Sequence, residues 1–107
     1  ERESLMEVCK KDNIVIATGG GTPCFFDNMQ EILVSGKAIY LKMKIKDLLE
    51  RLETEKSQRP VIKNKSAKEL ENFIRNKLSK REYFYKKSDY ILQGKNICEK
   101  EIQNLIF

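Results

Sequence analysis

Residues 14–24 read IVIATGGGTPC, three apolar β-formers running straight into three consecutive glycines. The chain has five glycines in all, so three together need a reason. Glycine in a regular element is destabilising by about 0.5–1 kcal/mol relative to Ala, because it loses the most backbone freedom on folding. Residues 13–18, NIVIAT, form a short continuous apolar run, the pattern of a strand covered on both faces. The glycines follow the carboxyl end of that run, where ligands bind in open parallel sheets. Bare backbone there lets a ligand's hydroxyls or carboxylate reach main-chain N–H groups. Pro23 pre-sets the turn, and the following helix N-terminus adds partial positive charge. The alternative is a tight strand-to-helix turn with no ligand. The triplet lacks the Lys and Ser/Thr of a phosphate-cradling loop.

Outward from this point the chain alternates. Leu5, Val8 and Cys9 have helical spacing over residues 1–11. Phe26, Met29, Ile32 and Leu33 mark a helix after the glycines, closed by Gly36. AIYLK at 38–42 reads as a second buried strand, and Ile45, Leu48, Leu49 and Leu52 share one stripe of a helix over 44–55. TEKSQRPVIKNKS, residues 54–66, is polar, basic and broken by Pro60, a loop long enough to be functional. Ser66-Ala-Lys-Glu69 is a capping box that restarts a helix with Leu70, Phe73, Ile74 and Leu78 inward. A further helical piece is expected over Arg81–Lys87, a third strand over 88–93, and a terminal helix carrying Cys98, Ile102, Leu105 and Ile106.

This order predicts an α/β fold, a parallel sheet between layers of helices. Three strands are too little sheet for five helices, and the first residue is not Met. The expectation is therefore an internal piece of one domain, incomplete at its N-terminus.

At 107 residues the chain is at most one small domain, with a core that has little to spare. No window approaches the ~18–20 apolar residues of a membrane span, and ERESLMEVCKK is too charged for a secretory signal. The formal charge of +5 suits anionic partners. Lys10, Lys11, Lys86 and Lys87 read as a solvated face, and no basic stripe interleaved with aromatics points to nucleic acid. Cys9, Cys24 and Cys98 are irregularly spaced, and the chain has no histidine, so no Cys/His metal cluster forms. They read as reduced, half-buried packing residues of a cytoplasmic protein. Without histidine, a Ser-His or Cys-His nucleophile is excluded as well.

Two arginines add to the glycines. Arg59, before Pro60, lies in the basic loop, where it can swing over a transferred phosphate. Arg81, in KREYFY, lies in the last polar stretch before the third strand. A planar guanidinium binds carboxylate or phosphate bidentately, which lysine does not. The plainer reading of each is a surface arginine paired with a nearby Glu.

IATGGGTPC, GKAIYL, RP, LSKREYFY and SDYIL, in this order and spacing across essentially all of the chain, closely resemble the shikimate kinase family, small P-loop kinases of aromatic amino-acid biosynthesis. The resemblance implies a three-layer P-loop-kinase fold, ATP and shikimate as substrates, and Mg²⁺. Glu1 resembles the Glu of the family's Phe-Arg-x-x-Glu motif. Backbone N–H groups of Gly19, Gly20 and Gly21 would meet shikimate hydroxyls, chiefly at Gly20. Arg81 would hold the shikimate carboxylate, with Tyr85 the tyrosine of the same R-x-x-x-Y segment. Arg59 would be the lid arginine on the ATP phosphates and the catalytic cation, within a lid loop over 55–66. Arg51 would lie near the adenine, given one extra residue in the loop, and Lys95 and Asn96 would face it. The family's phosphate loop, the acidic residue near its metal and its first two strands are not in this sequence. The resemblance thus implies one partial domain over 1–107 that alone neither binds ATP tightly nor turns over, and a complete enzyme that is a monomer. A gluconate kinase-like enzyme and a non-catalytic substrate-binding module are the alternatives.

Overall fold

The structure is a computed structural model that describes residues 2–94 and 97–106. Helix α1, Arg2–Val8, buries Leu5 and ends three residues earlier than its apolar spacing suggested, in turns through Lys11. The glycine triplet leads into a short 3₁₀ turn, Thr22–Cys24, and then α2, Asn28–Ser35. Strand β1, Ile39–Lys42, precedes α3, Ile45–Glu55. A second 3₁₀ turn, Lys56–Gln58, leads toward α4, Ala67–Tyr85. Strand β2, Tyr90–Gln93, and α5, Glu99–Ile106, complete the order.

β1 and β2 pair in parallel, with Ile39 opposite Tyr90 and Lys42 opposite Gln93. The ladder is prolonged at both ends, Tyr90 N–H to Ala38 O at 3.1 Å and Gly94 N–H to Lys42 O at 3.1 Å. Parallel neighbours need a long crossover, and α3 with α4 supplies it. Ile62, Leu70 and Ile74 form a buried cluster against Ile45, Leu48, Leu49, Leu52 and Phe73. The stripes expected on α3 and α4 therefore face each other.

Four expectations are corrected. Residues 13–18 are not a strand. Ile14, Val15 and Ile16 are 46%, 95% and 44% exposed, and no strand pairs with them among the described residues. A β-forming run without a neighbour has nowhere to place its backbone hydrogen bonds except water. Nor is β1 or β2 covered on both faces, since Leu41 and Ile91 are exposed. Phe26, expected on the inward face of α2, precedes that helix at a positive φ of 53° and is 79% exposed. Arg81–Lys87 is not a separate piece either: α4 runs unbroken for 19 residues, as a segment with no Gly or Pro allows. Its capping box forms as read, with Glu69 N–H donating to Ser66 Oγ at 3.2 Å and Ser66 Oγ to Glu69 Oε1 at 3.1 Å.

The Cα radius of gyration is 15.2 Å, against ~13 Å for a compact domain of this length. The exposed apolar run and the two-stranded sheet account for a looser body. Among the described residues no helix is long and apolar enough to cross a membrane.

Candidate functional site

Arg81 and Tyr85 stand at i and i+4 on α4, hence on one helix face. That face meets the glycine triplet. The Tyr85 hydroxyl donates to the carbonyl of Gly20. A Cβ at Gly20 would lie 3.1 Å from Arg81 Nη1 and 3.2 Å from the Tyr85 hydroxyl. At Gly21 it would lie 3.4 Å from Arg81 Nη2 and from the Phe25 ring. Backbone conformation does not demand glycine here: Gly21 has φ −83° and ψ −20°, and the positive-φ glycine among the described residues is Gly94. At Gly20 the glycine leaves room: a side chain there would crowd the guanidinium and the Tyr85 hydroxyl, whereas at Gly21 the contact would be an ordinary one.

The loop is pinned from beneath. Thr22 N–H donates to Gly19 O at 3.2 Å and Cys24 N–H to Gly21 O at 3.0 Å. Asn28, buried, donates from Nδ2 to Thr22 O at 2.8 Å and accepts from Arg2, which also pairs with Asp27. Helix α1 thereby fixes the turn from which the glycines project.

Arg81 is half-buried and has no ion pair among the described residues. A cation held over bare backbone without a carboxylate can accept an anionic ligand bidentately. Burial raises the Cys24 thiol pKa, against the opposing Arg81 charge. The Tyr85 hydroxyl is likewise raised, first by burial and then by Cys24, with Arg81 opposing. Both groups stay neutral beside the guanidinium at neutral pH.

Behind this face, Tyr40 of β1 donates to Glu82 Oε2 at 2.9 Å, and Lys42 and Lys86 approach Glu82 at 3.7 and 3.6 Å. The Tyr40 and Tyr85 rings lie 5.1 Å apart. Sequence reasoning missed this cluster. Its partners are 42 residues apart on different elements, and nothing in either segment announces the pairing. It also read all three cysteines as half-buried, whereas Cys98 is exposed.

The loop arginines are not gathered at the glycines. Arg59, exposed, pairs with half-buried Glu55 at 3.1 Å, one helical turn earlier. Arg51, on α3, lines a groove of about 270 Å³ with Met43, Asp47, Glu50 and Thr54. The basic loop is not free throughout: Ile62, 3% exposed, plugs into the α3–α4 core between two tight turns. Lys95 and Asn96 lie outside the described residues. Among the described residues no group of three or more Cys, Asp or Glu side chains stands together in a way that could hold a metal ion.

Residues 1–106 match the family model described as shikimate kinase. The chain is similar to the shikimate kinase of Parabacteroides distasonis, 42% identical over 106 residues, covering 98% of this chain and 61% of the relative. It is 45% identical over 108 residues to that of Azobacteroides pseudotrichonymphae, covering 99% of the chain and 64% of the relative. The crystal structure of shikimate kinase from Bacteroides thetaiotaomicron superposes with a TM-score of 0.84 at 38% identity, over 98% of this chain and 60% of that one. The chain thus spans 60–64% of the length of these relatives.

Proposed function

This chain belongs to the shikimate kinase family, and on that premise we propose that the protein carrying it transfers the γ-phosphoryl group of ATP to the 3-hydroxyl of shikimate. The observation that carries the proposal is Arg81, lying over the Gly20–Gly21 backbone with no carboxylate of its own among the described residues. Its guanidinium takes the substrate carboxylate, and main-chain groups of Gly19, Gly20 and Gly21 meet the ring hydroxyls. A rigid cyclic acid gripped at two ends presents its remaining hydroxyl in one orientation, which converts binding into positioning.

Phosphoryl transfer is mostly positioning and charge neutralisation, and arginine does both without a histidine base. The shikimate oxygen forms the new bond to phosphorus, the bond to the bridging oxygen breaks with its electron pair staying on ADP, and the hydroxyl proton is released to solvent, giving shikimate 3-phosphate, ADP and H⁺. Arg59 neutralises the transferred group after releasing Glu55 and closing with the 55–66 loop, which also excludes water. Arg51, Lys95 and Asn96 are assigned to the adenine side. Mg²⁺ is assigned no ligand and no step in this chain. The protein is proposed to be cytoplasmic and monomeric, acting on small molecules rather than on nucleic acid or membranes.

The test is ADP release by the full-length protein with shikimate or gluconate as acceptor, with the product identified by ³¹P NMR. Shikimate-dependent release giving a 3-phosphate supports the reading. Release with gluconate but not shikimate refutes it in favour of a related kinase, and release with neither favours a binding module.

A further inference from the structure

We propose that Tyr40 and Glu82 act as a positioning pair that sets the rotation of α4 about its axis and leaves Arg81 unclaimed for the substrate carboxylate. The inference rests on the shikimate kinase reading and adds two residues to it.

Glu82 directly follows Arg81, so the two side chains leave the helix about 100° apart. A carboxylate so near a guanidinium is its natural competitor. Here both Glu82 oxygens are occupied elsewhere, Oε2 by the Tyr40 hydroxyl at 2.9 Å and Lys42 at 3.7 Å, and Oε1 by Lys86 at 3.6 Å. Tyr40 and Lys42 both belong to β1, so Glu82 ties α4 to the sheet. The Tyr40 ring also meets Tyr85 at 5.1 Å and a 47° tilt, and Tyr85 in turn holds the Gly20 carbonyl. Strand, helix and glycine loop are thereby joined through one connected set of contacts. A helix turned about its axis would carry Arg81 off the glycines and bring the Glu82 carboxylate toward the anion.

The Glu82 carboxyl is held below its ordinary range, first by the Tyr40 hydroxyl, against burial, and then by Lys42 and Lys86. The pair therefore works with a charged acceptor at neutral pH, where hydrogen bonds are stronger than between neutral groups.

The experiment measures kcat and both Michaelis constants in the full-length protein for Tyr40→Phe, Glu82→Ala, their combination and Glu82→Gln. Tyr40→Phe keeps the ring and loses only the hydroxyl. It and Glu82→Ala should each raise KM for shikimate about three- to tenfold, with kcat and KM for ATP near the unsubstituted values. The double variant should be no worse than the poorer single one, because both remove one contact. Glu82→Gln, whose amide oxygen still accepts from Tyr40, should recover most of the affinity. An unchanged KM for shikimate in Tyr40→Phe and Glu82→Ala overturns the proposal. So does a parallel loss in kcat and both KM values that follows the melting temperature. An unsubstituted protein that does not phosphorylate shikimate overturns the underlying reading as well.

Discussion

The hydroxyl of Tyr85 donates to the carbonyl of Gly20, 65 residues earlier in the chain. This contact brings a helix and a glycine loop together and places Arg81, one turn back, over the same backbone. Because Gly20 is not at a positive φ, alanine would suffer no backbone strain there. It would instead meet Arg81 Nη1 at 3.1 Å and the Tyr85 hydroxyl at 3.2 Å. Gly20→Ala should leave the melting temperature within a few degrees of the parent and raise KM for shikimate roughly tenfold or more, since the arginine is displaced rather than the fold. Kinetics and melting of the same preparation check this.

Arg81→Lys keeps the charge and loses the fork. A charge-assisted bond contributes about 1.5–3 kcal/mol, so KM for shikimate should rise about ten- to hundredfold, with KM for ATP little changed. Near-parental affinity in Arg81→Lys would mean that a point charge suffices.

Arg59 is paired with Glu55 and exposed, so its proposed role begins only when that pair opens. Arg59→Ala should lower kcat by about a hundredfold, the scale of losing one stabilising donor, and leave KM for shikimate almost unchanged. Single-turnover measurement separates the chemical step from product release. A kcat equal to the parent's would remove Arg59 from the mechanism.

Adjacent residues of the loop should behave oppositely. Ile62→Ala empties a site that is 3% exposed and packed on Leu70 and Ile74, costing about 2–5 kcal/mol. Val61→Ala, at a residue 70% exposed, should stay within about 0.5 kcal/mol. Denaturant titration of both variants compares them directly.

Stability should fall at both ends of the pH scale through one contact. The Glu82 carboxyl is lowered from its ordinary 4.5. Its contribution is complete above that value and is lost as pH falls through the lower folded one. The Tyr40 hydroxyl is raised from its ordinary 10.0, by burial first and then by Glu82. Its contribution is complete below that value and is lost as pH rises through the higher folded one. Melting temperature against pH should flatten on the acid side in Glu82→Gln and on the alkaline side in Tyr40→Phe. Curves parallel to the parent's would contradict both assignments.

The legible parts of the fold were those fixed by local chemistry. The stripe Ile45, Leu48, Leu49, Leu52, the Ser66–Glu69 cap and the two paired strands follow from period and capping, which act within a few residues. IVI at 14–16 reads as a strand and is not one, because an apolar run states only a preference for β-structure, while a strand exists through its neighbour. At the site, the triplet and Arg81 could be singled out from residue type, one needing bare backbone and the other a planar cation. Their contact, and the reason for glycine, could not. At Gly20 that reason is the volume occupied by a guanidinium and a tyrosine hydroxyl from far along the chain. Glu82 was hidden for the same cause, as its role depends on Tyr40 across the crossover.

The most direct measurement is a crystal structure of the full-length protein with shikimate bound. The account predicts the carboxylate paired in bidentate fashion with Arg81 and ring hydroxyls within hydrogen-bond distance of the Gly20–Gly21 main chain. Shikimate bound elsewhere, with Arg81 free of it and the glycine backbone untouched, would contradict the account.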